Sequence, residues 1–402
     1  MKPTKRLTVM SGGLKVGELA AGAGRKIGFQ YSMEWLEKGY SLSPLRLPFD
    51  GSVHIADTHL FEGLYGVFAD SLPDGWGLLL MDRFFKKHGL DRPEISPLDR
   101  LAYIGTRAMG SLEYHPEIRH HKSTAADLFA LSESARKLVE GDTEDVLDEL
   151  MIVGGSPAGA RPKVTVAFSS DFSRCISGVG VIPDDYSHWI VKFHAKNDNR
   201  HSGVIEKIYA DIASLAGLDM PETRLVKVGE NRFFSVRRFD RFGNTRKHVL
   251  TLAGLMHADY RSPSMDYEGV LGATGWLTRN VNDIEMAYRL AVFNVLCGNK
   301  DDHIKNFSFT MDGNWRLSPA YDLTPSDDLR EHTTSMMGSG LPAKKEMDVL
   351  AFRHGVPNAN EIQHQARDAV SRWQAMSADL LPKKISQNYL GKLSRIDKHV
   401  FG

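Results

Sequence analysis

Cysteine is nearly absent: the 402 residues hold two, Cys175 and Cys297, and neither stands in a Cys-x-x-Cys pair. That spacing argues against a disulfide framework and a cysteine-held zinc, and two buried thiols in a reducing compartment are expected. An excess of charge of either sign is also missing, since Lys+Arg and Asp+Glu both number 50. A chain that wraps DNA through its phosphates would be basic, so a broad nucleic-acid face is not expected, while a local patch stays open. Long apolar runs are lacking too. The most apolar stretch, Met286 to Cys297, is broken by Arg289 and is too short to span a bilayer. The basic start Met1–Arg6 leads into Ser11-Gly12-Gly13 rather than an apolar segment. No signal peptide is read, and a cytosolic location without membrane contact is expected. No internal repeat or low-complexity tract interrupts the chain.

What is present is ordinary globular composition, 42% apolar and 25% charged, at a length that implies two or three packed subdomains. Residues 7–31 read as β, with a Gly12-Gly13 turn and the alternation Ile27, Phe29, Tyr31. A helix with a wide apolar face is expected over 61–88, interrupted at Pro73-Asp74-Gly75. A short helix, a turn at 105–110 and a strand follow, closing an α+β subdomain over 1–115. The segment 116–123 is a polar linker. Its His120-His121 pair reads as solvated loop rather than metal site, and Thr124 to Asp127 resembles a capping box opening a helix over 125–140.

From 150 the pattern changes. Gly154-Gly155-Ser156-Pro157-Ala158-Gly159-Ala160-Arg161-Pro162-Lys163 is a Gly-rich loop leading into a strand, Val164–Phe168. Its glycines can turn backbone N–H groups toward an anion, and Arg161 and Lys163 add positive charge. The Gly154-x4-Gly159 spacing imitates a P-loop, but Ala160-Arg161 stands where Gly-Lys-Ser/Thr is needed, so a P-loop NTPase is rejected. A second strand, His188–Phe193, places Lys192 among apolar neighbours. The helix 204–218 carries Glu206, a carboxylate at a suitable remove to partner Lys192. Leu225–Val228 and Phe233–Arg237 form a hairpin, and the remainder is mostly helical. This order, a Gly-rich loop, a strand, a strand with lysine and a helix with glutamate, is that of a protein-kinase amino lobe over 116–240 leading to a helical carboxy lobe over 241–402.

The strongest motif lies in Gly298-Asn-Lys-Asp301-Asp302-His303-Ile304-Lys305-Asn306-Phe307, a charged turn between an apolar helix and an apolar hairpin. Asp301 and Asn306 have the Asp-x4-Asn spacing of a kinase catalytic loop. There the Asp meets the substrate hydroxyl and the Asn, across the turn, holds Mg²⁺. Lys305 can neutralise charge on the transferring phosphoryl group. Asp322 returns one hairpin later, where a kinase places its second metal-binding carboxylate. Hard oxygen ligands of this kind suit Mg²⁺ better than zinc.

Together these residues resemble the HipA-type toxin kinases of bacterial toxin–antitoxin pairs. The resemblance rests on Ser156–Lys163, Arg238-Phe239-Asp240-Arg241, Gly298–Ser308 and Pro319-Ala-Tyr-Asp322. In the amino-terminal part it rests on Val16–Leu19, Tyr31–Leu36 and Leu72-Pro-Asp74. It implies an α+β fold: two-lobed and protein-kinase-like, with an extra amino-terminal subdomain and a mostly helical carboxy-terminal lobe. It implies ATP and Mg²⁺ as cofactors, with Asp301 catalytic and Asn306 and Asp322 on the metal. Lys192, Gly154, Gly155, Ala158, Gly159, Ala160 and His303 fall to the nucleotide, and Val236–Phe239, including Arg237, to the hinge beside adenine. Ser156 matches a serine that the family phosphorylates on itself, which would disturb the loop's phosphate site. The implied substrate is an aminoacyl-tRNA synthetase, glutamyl-tRNA synthetase first. The implied partner is a small HipB-like helix-turn-helix antitoxin, which links the toxin indirectly to operator DNA. Three positions depart from the pattern. Arg237 stands where an acid is frequent, and Pro157 restrains Ser156. Asp302 adds an acid beside Asp301 that can alter substrate choice.

Three other readings compete. A small-molecule phosphotransferase would use the same core. A metal hydrolase could use Asp301, Asp302, His303 and Asp322, but leaves the Gly-rich loop and Lys192 without a role. A silent corepressor could sit beside a DNA-binding partner, with the basic tail Lys383–Lys398 near DNA, although a solvated helix face explains that tail more simply.

Overall fold

The computed structural model describes residues 2–57, 60–118, 126–140, 148–155, 159–195, 198–262, 265–326 and 328–402. The chain forms two compact units, Met1–Arg200 with Val226–Ala258, and His201–Leu225 with Asp259–Gly402.

The first unit holds two five-stranded antiparallel sheets. β1 (Arg6–Ser11) and β2 (Leu14–Ala21) form a hairpin whose turn residues, Gly12 and Gly13, sit at φ 58° and 82°. Glycine takes two successive left-handed conformations without strain, and such turns match the twist of the flanking strands. Leu7, Val9, Val16 and Leu19 point into the core. β3 (Ile27–Tyr31), β4 (His54–Ile55) and β5 (Glu113–His115) complete the order β4-β3-β2-β1-β5. The apolar stretch after residue 60 is not one helix. A single turn at Phe61–Gly63 and a short helix Gly66–Ala69 precede the helix Gly75–Lys87. Pro73 and Asp74 make the break, and Gly75 (φ 42°) passes so close to the loop that a Cβ would lie 2.6 Å from Ala160 Cα.

The linker helix runs over Leu128–Glu140. Asp127 opens it by accepting the N–H groups of Phe129 and Ala130 at 2.9 and 3.2 Å. The expected start near Thr124, and the His120-His121 pair, lie outside the described residues.

The second sheet contains β6 (Lys163–Ser169), β7 (Cys175–Ser177), β8 (Tyr186–Lys192), β9 (Thr223–Val228, of which Val226–Val228 belongs to this unit) and β10 (Asn231–Arg237), ordered β7-β6-β8-β10-β9. β6 is buried along its whole length, so Thr165 and Ser169 are buried alongside its apolar Val164, Val166, Ala167 and Phe168. An ionic clamp fastens the exit of β10 to the turn before β5. Arg238 grips both oxygens of Asp240 (2.9 and 2.7 Å), Arg241 adds a contact at 2.7 Å, and the Gly110 N–H adds another at 2.7 Å. Arg241 also donates to the carbonyls of Ala108 and Gly110, both at 2.8 Å. The Arg-Phe-Asp-Arg motif is therefore a structural knot in this unit. Burial works to raise the Asp240 carboxyl, and the two guanidiniums outweigh it, holding it well below the usual carboxylate range.

The second unit is helical around Val281–Cys297, whose face from Ala287 to Cys297 is almost wholly buried. Asn280 caps its start by accepting from Asn282 N–H, and Gly298 (φ 71°) ends it in the left-handed conformation. The helices Tyr267–Thr278, Ala359–Ser371 and Lys383–Phe401 pack on it, as does the helix Ser202–Leu215 on Ala359–Ser371. Lys383–Phe401 buries Ser386, Leu393 and Val400 at intervals of one heptad and leaves Lys383, Lys384 and Arg395 exposed. The hairpin Ser308–Asp312 with Asn314–Leu317 turns at Gly313. Cys297 is fully buried and Cys175 only partly, and burial pushes both thiols up to about 12.

Candidate active site

The loop after Gly298 carries the expected catalytic residues in the second unit. Asp301 presents a side chain 60% exposed. Its N–H donates to Ser326 Oγ at 3.0 Å. The Asn306 side-chain nitrogen donates to the Asp301 carbonyl at 2.8 Å, which leaves the amide oxygen outside that bond. Asp322 sits at φ 57°, a left-handed conformation uncommon outside glycine and better tolerated by Asp than by most residues. Its backbone carbonyl accepts from Asn299 Nδ2 at 3.4 Å, so the turn and the segment returning after the hairpin share a buried amide. A carboxylate and an amide oxygen are a hard donor set that fits Mg²⁺. Lys305 lies over the Tyr260 ring at 4.9 Å, and the His303 ring lies 5.2 Å from the same tyrosine.

Asp302 has a different fate from its neighbour. It is 0% exposed and accepts from Tyr267 Oη (2.6 Å), His332 Nδ1 (2.7 Å) and the Thr334 N–H (3.1 Å). Buried that way, it is unavailable to a substrate, which corrects the expectation that it tunes substrate choice. It also removes one ligand of the hydrolase reading. The carboxylate anchors the loop from beneath. Lys300 extends the anchor: its carbonyl accepts from Thr333 N–H at 2.9 Å, and its ammonium donates to the carbonyls of Leu329 and Arg330 at 3.1 and 2.9 Å.

In the first unit, Lys192 ends β8 directly opposite Lys163 on β6. Facing residues of an antiparallel pair share a side of the sheet, so two like charges stand together, an arrangement that costs stability by itself. Lys163 is buried, and a Cβ on Gly159 would fall 2.3 Å from its Nζ. The Gly-rich loop therefore crosses directly over a lysine. Its described ends are occupied in ways the sequence did not suggest. Gly154 N–H donates to Leu150 at 2.8 Å, and a Cβ there would meet Leu80 at 2.8 Å. A Cβ on Gly155 would meet the Met151 carbonyl at 2.6 Å and Tyr103 Oη at 2.9 Å. Gly159 N–H donates to the Asp74 carboxylate, and its carbonyl accepts from Trp76 N–H at 3.1 Å. Gly154 and Gly155 are thus small for packing, and the Gly159 amide is held by a carboxylate rather than turned toward an anion. Ser156, Pro157 and Ala158 lie outside the described residues. Ala160 follows Gly159 beside Gly75. At the expected hinge, Arg237 is exposed opposite Trp189, Arg238 N–H donates to the His188 carbonyl at 2.9 Å, and Phe239 is half-buried. Glu206 is buried on the helix Ser202–Leu215 of the second unit.

Sequence reasoning missed Asp74, Tyr267, His332 and Thr334. Asp74 was visible as part of a helix break and of the Leu72-Pro-Asp74 resemblance, with no role attached to it. The other three lie 30 or more residues from Asp302 along the chain, beyond any spacing rule. Among the described residues, no group of three or more His, Cys, Asp or Glu side chains could hold a metal, so a metal here would depend on the amide oxygen of Asn306 as well as on Asp322. No helix of the described residues is long and apolar enough to cross a membrane.

Comparison with known proteins adds lineage to this geometry. The HipA-like C-terminal domain matches residues 155–379, and the HipA N-terminal domain matches residues 7–115. A putative kinase, Y4dM, of Sinorhizobium fredii is 31% identical over 208 residues, covering 46% of this chain and 50% of that protein, so the match spans half the relative's length. The serine/threonine-protein kinase toxin HipA of Shewanella oneidensis is 24% identical over 361 residues, covering 81% of this chain and 77% of that one. The solved Shewanella oneidensis HipA, in complex with HipB and its operator DNA, superposes with a TM-score of 0.73 at 20% identity, covering 98% of this chain and 97% of that one. The expected α+β kinase-like fold is borne out by this likeness.

Proposed function

Because this chain belongs to the HipA family, we propose that it is an ATP- and Mg²⁺-dependent Ser/Thr protein kinase, the toxin of a toxin–antitoxin pair. The observation that carries the reading is the Asp301–Asn306 turn. An exposed carboxylate rides on a loop locked from below by Asp302, with an amide held by the same loop's backbone. Such a rigid support is what positioning a general base requires.

The residues divide the work as follows. Asn306 and the Asp322 carboxylate hold Mg²⁺, which when bound neutralises charge on the nucleotide phosphates. Lys192 and Lys163 draw the phosphates to one side of β6 and β8. Asp301 accepts or orients the proton of a Ser or Thr hydroxyl. Lys305 faces the transferring group. His303 and the backbone around Arg237 and Phe239 complete the nucleotide contacts. Ser156 is the proposed site of self-phosphorylation. The proposed substrate is an aminoacyl-tRNA synthetase, and the proposed partner is a HipB-like antitoxin, as in the Shewanella oneidensis complex, through which operator DNA is reached.

The test is intact mass before and after incubation with ATP and Mg²⁺. The wild type is expected to gain whole phosphoryl groups. Asp301→Gln is expected to gain none while still binding ATP, with transfer reduced roughly 10²–10⁴-fold, as for loss of a general base. Equal loss of binding and transfer in that variant would overturn the role of Asp301. Transfer to sugars or aminoglycosides but to no protein would establish the small-molecule reading instead.

A further inference from the structure

Away from the loops above, the first unit encloses a cavity of about 270 Å³ between its two sheets. Its lining includes Arg107, Arg238, Arg241 and Arg246, with His188 among them and Val181 at the rim. In the lining itself these four guanidiniums meet one carboxylate, Glu113. Asp240 stands behind Arg238 and Arg241, and Glu117, which accepts from Thr106 N–H and Oγ1, lies near Arg107. With His188 neutral, positive charge exceeds negative charge around the void by one. Buried guanidiniums are costly unless compensated, and burial, with Arg238 beside it, pushes Arg241 down to about 9.

Two buried polar atoms on this void lack a hydrogen-bond partner among the described residues. His188 is 5% exposed and its Nδ1 has no hydrogen-bond partner among the described residues. Arg246 Nη1 is buried and forms an ion pair with Glu113, yet has no hydrogen-bond partner among the described residues. It lies 3.1 Å from Glu113 Oε1 but is not aligned to donate to it. Arg238 lines the void while its Nε and one Nη grip Asp240. Buried donors of this kind are nearly always satisfied, by protein, water or ligand. Guanidiniums converging on a void match the oxygens of a tetrahedral oxyanion.

We propose that this cavity is a binding site for an oxyanion of the phosphate class, either free or carried on a larger molecule. The ion contacts Arg246 and Arg238, His188 closes the inner wall, and Val181 marks the mouth. Apart from Arg238, whose backbone belongs to the proposed hinge while its side chain faces this void, the lining is separate from the residues assigned above to nucleotide and metal, and the Lys192 variant below distinguishes the two sites.

The experiment is isothermal titration calorimetry of the full chain with inorganic phosphate, at ionic strength held constant with sodium chloride, and in parallel with O-phosphoserine. Saturable phosphate binding is expected, weakened at least tenfold in Arg246→Gln. Val181 is 87% exposed, so Val181→Glu places a carboxylate at the mouth without disturbing the core. That variant is expected to weaken binding as well. Lys192→Met is expected to leave it unchanged, which separates this site from the nucleotide site. Tenfold tighter binding of O-phosphoserine than of phosphate would identify a carried phosphate as the ligand, and equal or weaker binding would identify the free ion. Absence of saturable binding for both, or binding indifferent to Arg246→Gln and Val181→Glu, would overturn the proposal.

Discussion

At the scale of single residues, burial decides what each titratable group can do. His248 lies fully inside the first unit, its Nε2 3.1 Å from the Leu42 carbonyl. Burial pushes its imidazole down to about 4, and His188 is pushed to about 4 by burial together with Arg238 and Arg241. In the unfolded chain both titrate near their ordinary value of about 6.5. Below that value the unfolded chain takes up protons that the folded chain refuses. Stability is therefore complete above about 6.5 and is lost as the pH falls toward 4. Each histidine can contribute at most on the order of 3 kcal/mol over that window. The denaturant midpoint is expected to fall steadily between pH 6.5 and 4.5, with a shallower slope for His248→Gln. Equal slopes for the two proteins would rule out this residue as a source.

At the scale of an element, the Asp301–Asn306 loop shows how two adjacent aspartates take opposite parts. Asp302→Asn removes a buried charge that three donors face, and is expected to cost about 3 kcal/mol or more. Asp301→Asn changes an exposed side chain and is expected to shift stability by no more than about 0.5 kcal/mol. Urea denaturation of the two variants side by side checks this, and similar costs would refute the account of the loop's support. The sequence indicated where the loop is, through the Asp-x4-Asn spacing and the apolar elements beside it. It could not say which acid was buried, because burial depends on Tyr267, His332 and Thr334, which only folding brings beneath the turn. The Gly-rich loop gives the same lesson. Its glycines invited a phosphate reading, yet Gly154 and Gly155 are demanded by Leu80, Met151 and Tyr103, and Asp74 holds Gly159.

At the scale of the whole molecule, ligands that bind only the folded chain must raise its stability. A ligand at one hundred times its dissociation constant adds about 2.7 kcal/mol. ATP in EDTA is expected to raise the melting temperature, and Mg²⁺ to raise it further. Asp322→Asn and Asn306→Ala are expected to keep the first rise and lose the second, while Lys192→Met loses both. A second rise that persists in both metal-site variants would remove Asn306 and Asp322 from the metal.

The sequence by itself determined the secondary structure along most of the chain, the two-glycine hairpin turn, the mixed α+β kinase-like layout and the family. Those features are written in periodicity, turn residues and motifs that need only neighbours a few positions away. Tertiary structure alone decided that Asp302 is an anchor, that the Arg-Phe-Asp-Arg motif is a clamp on residues 108–110, and that four arginines surround a void beside His188. Each of these is a matter of solvent removed and charges brought together across 30 to 133 residues of chain. Desolvation and Coulombic pairing act through space, and no local pattern encodes them.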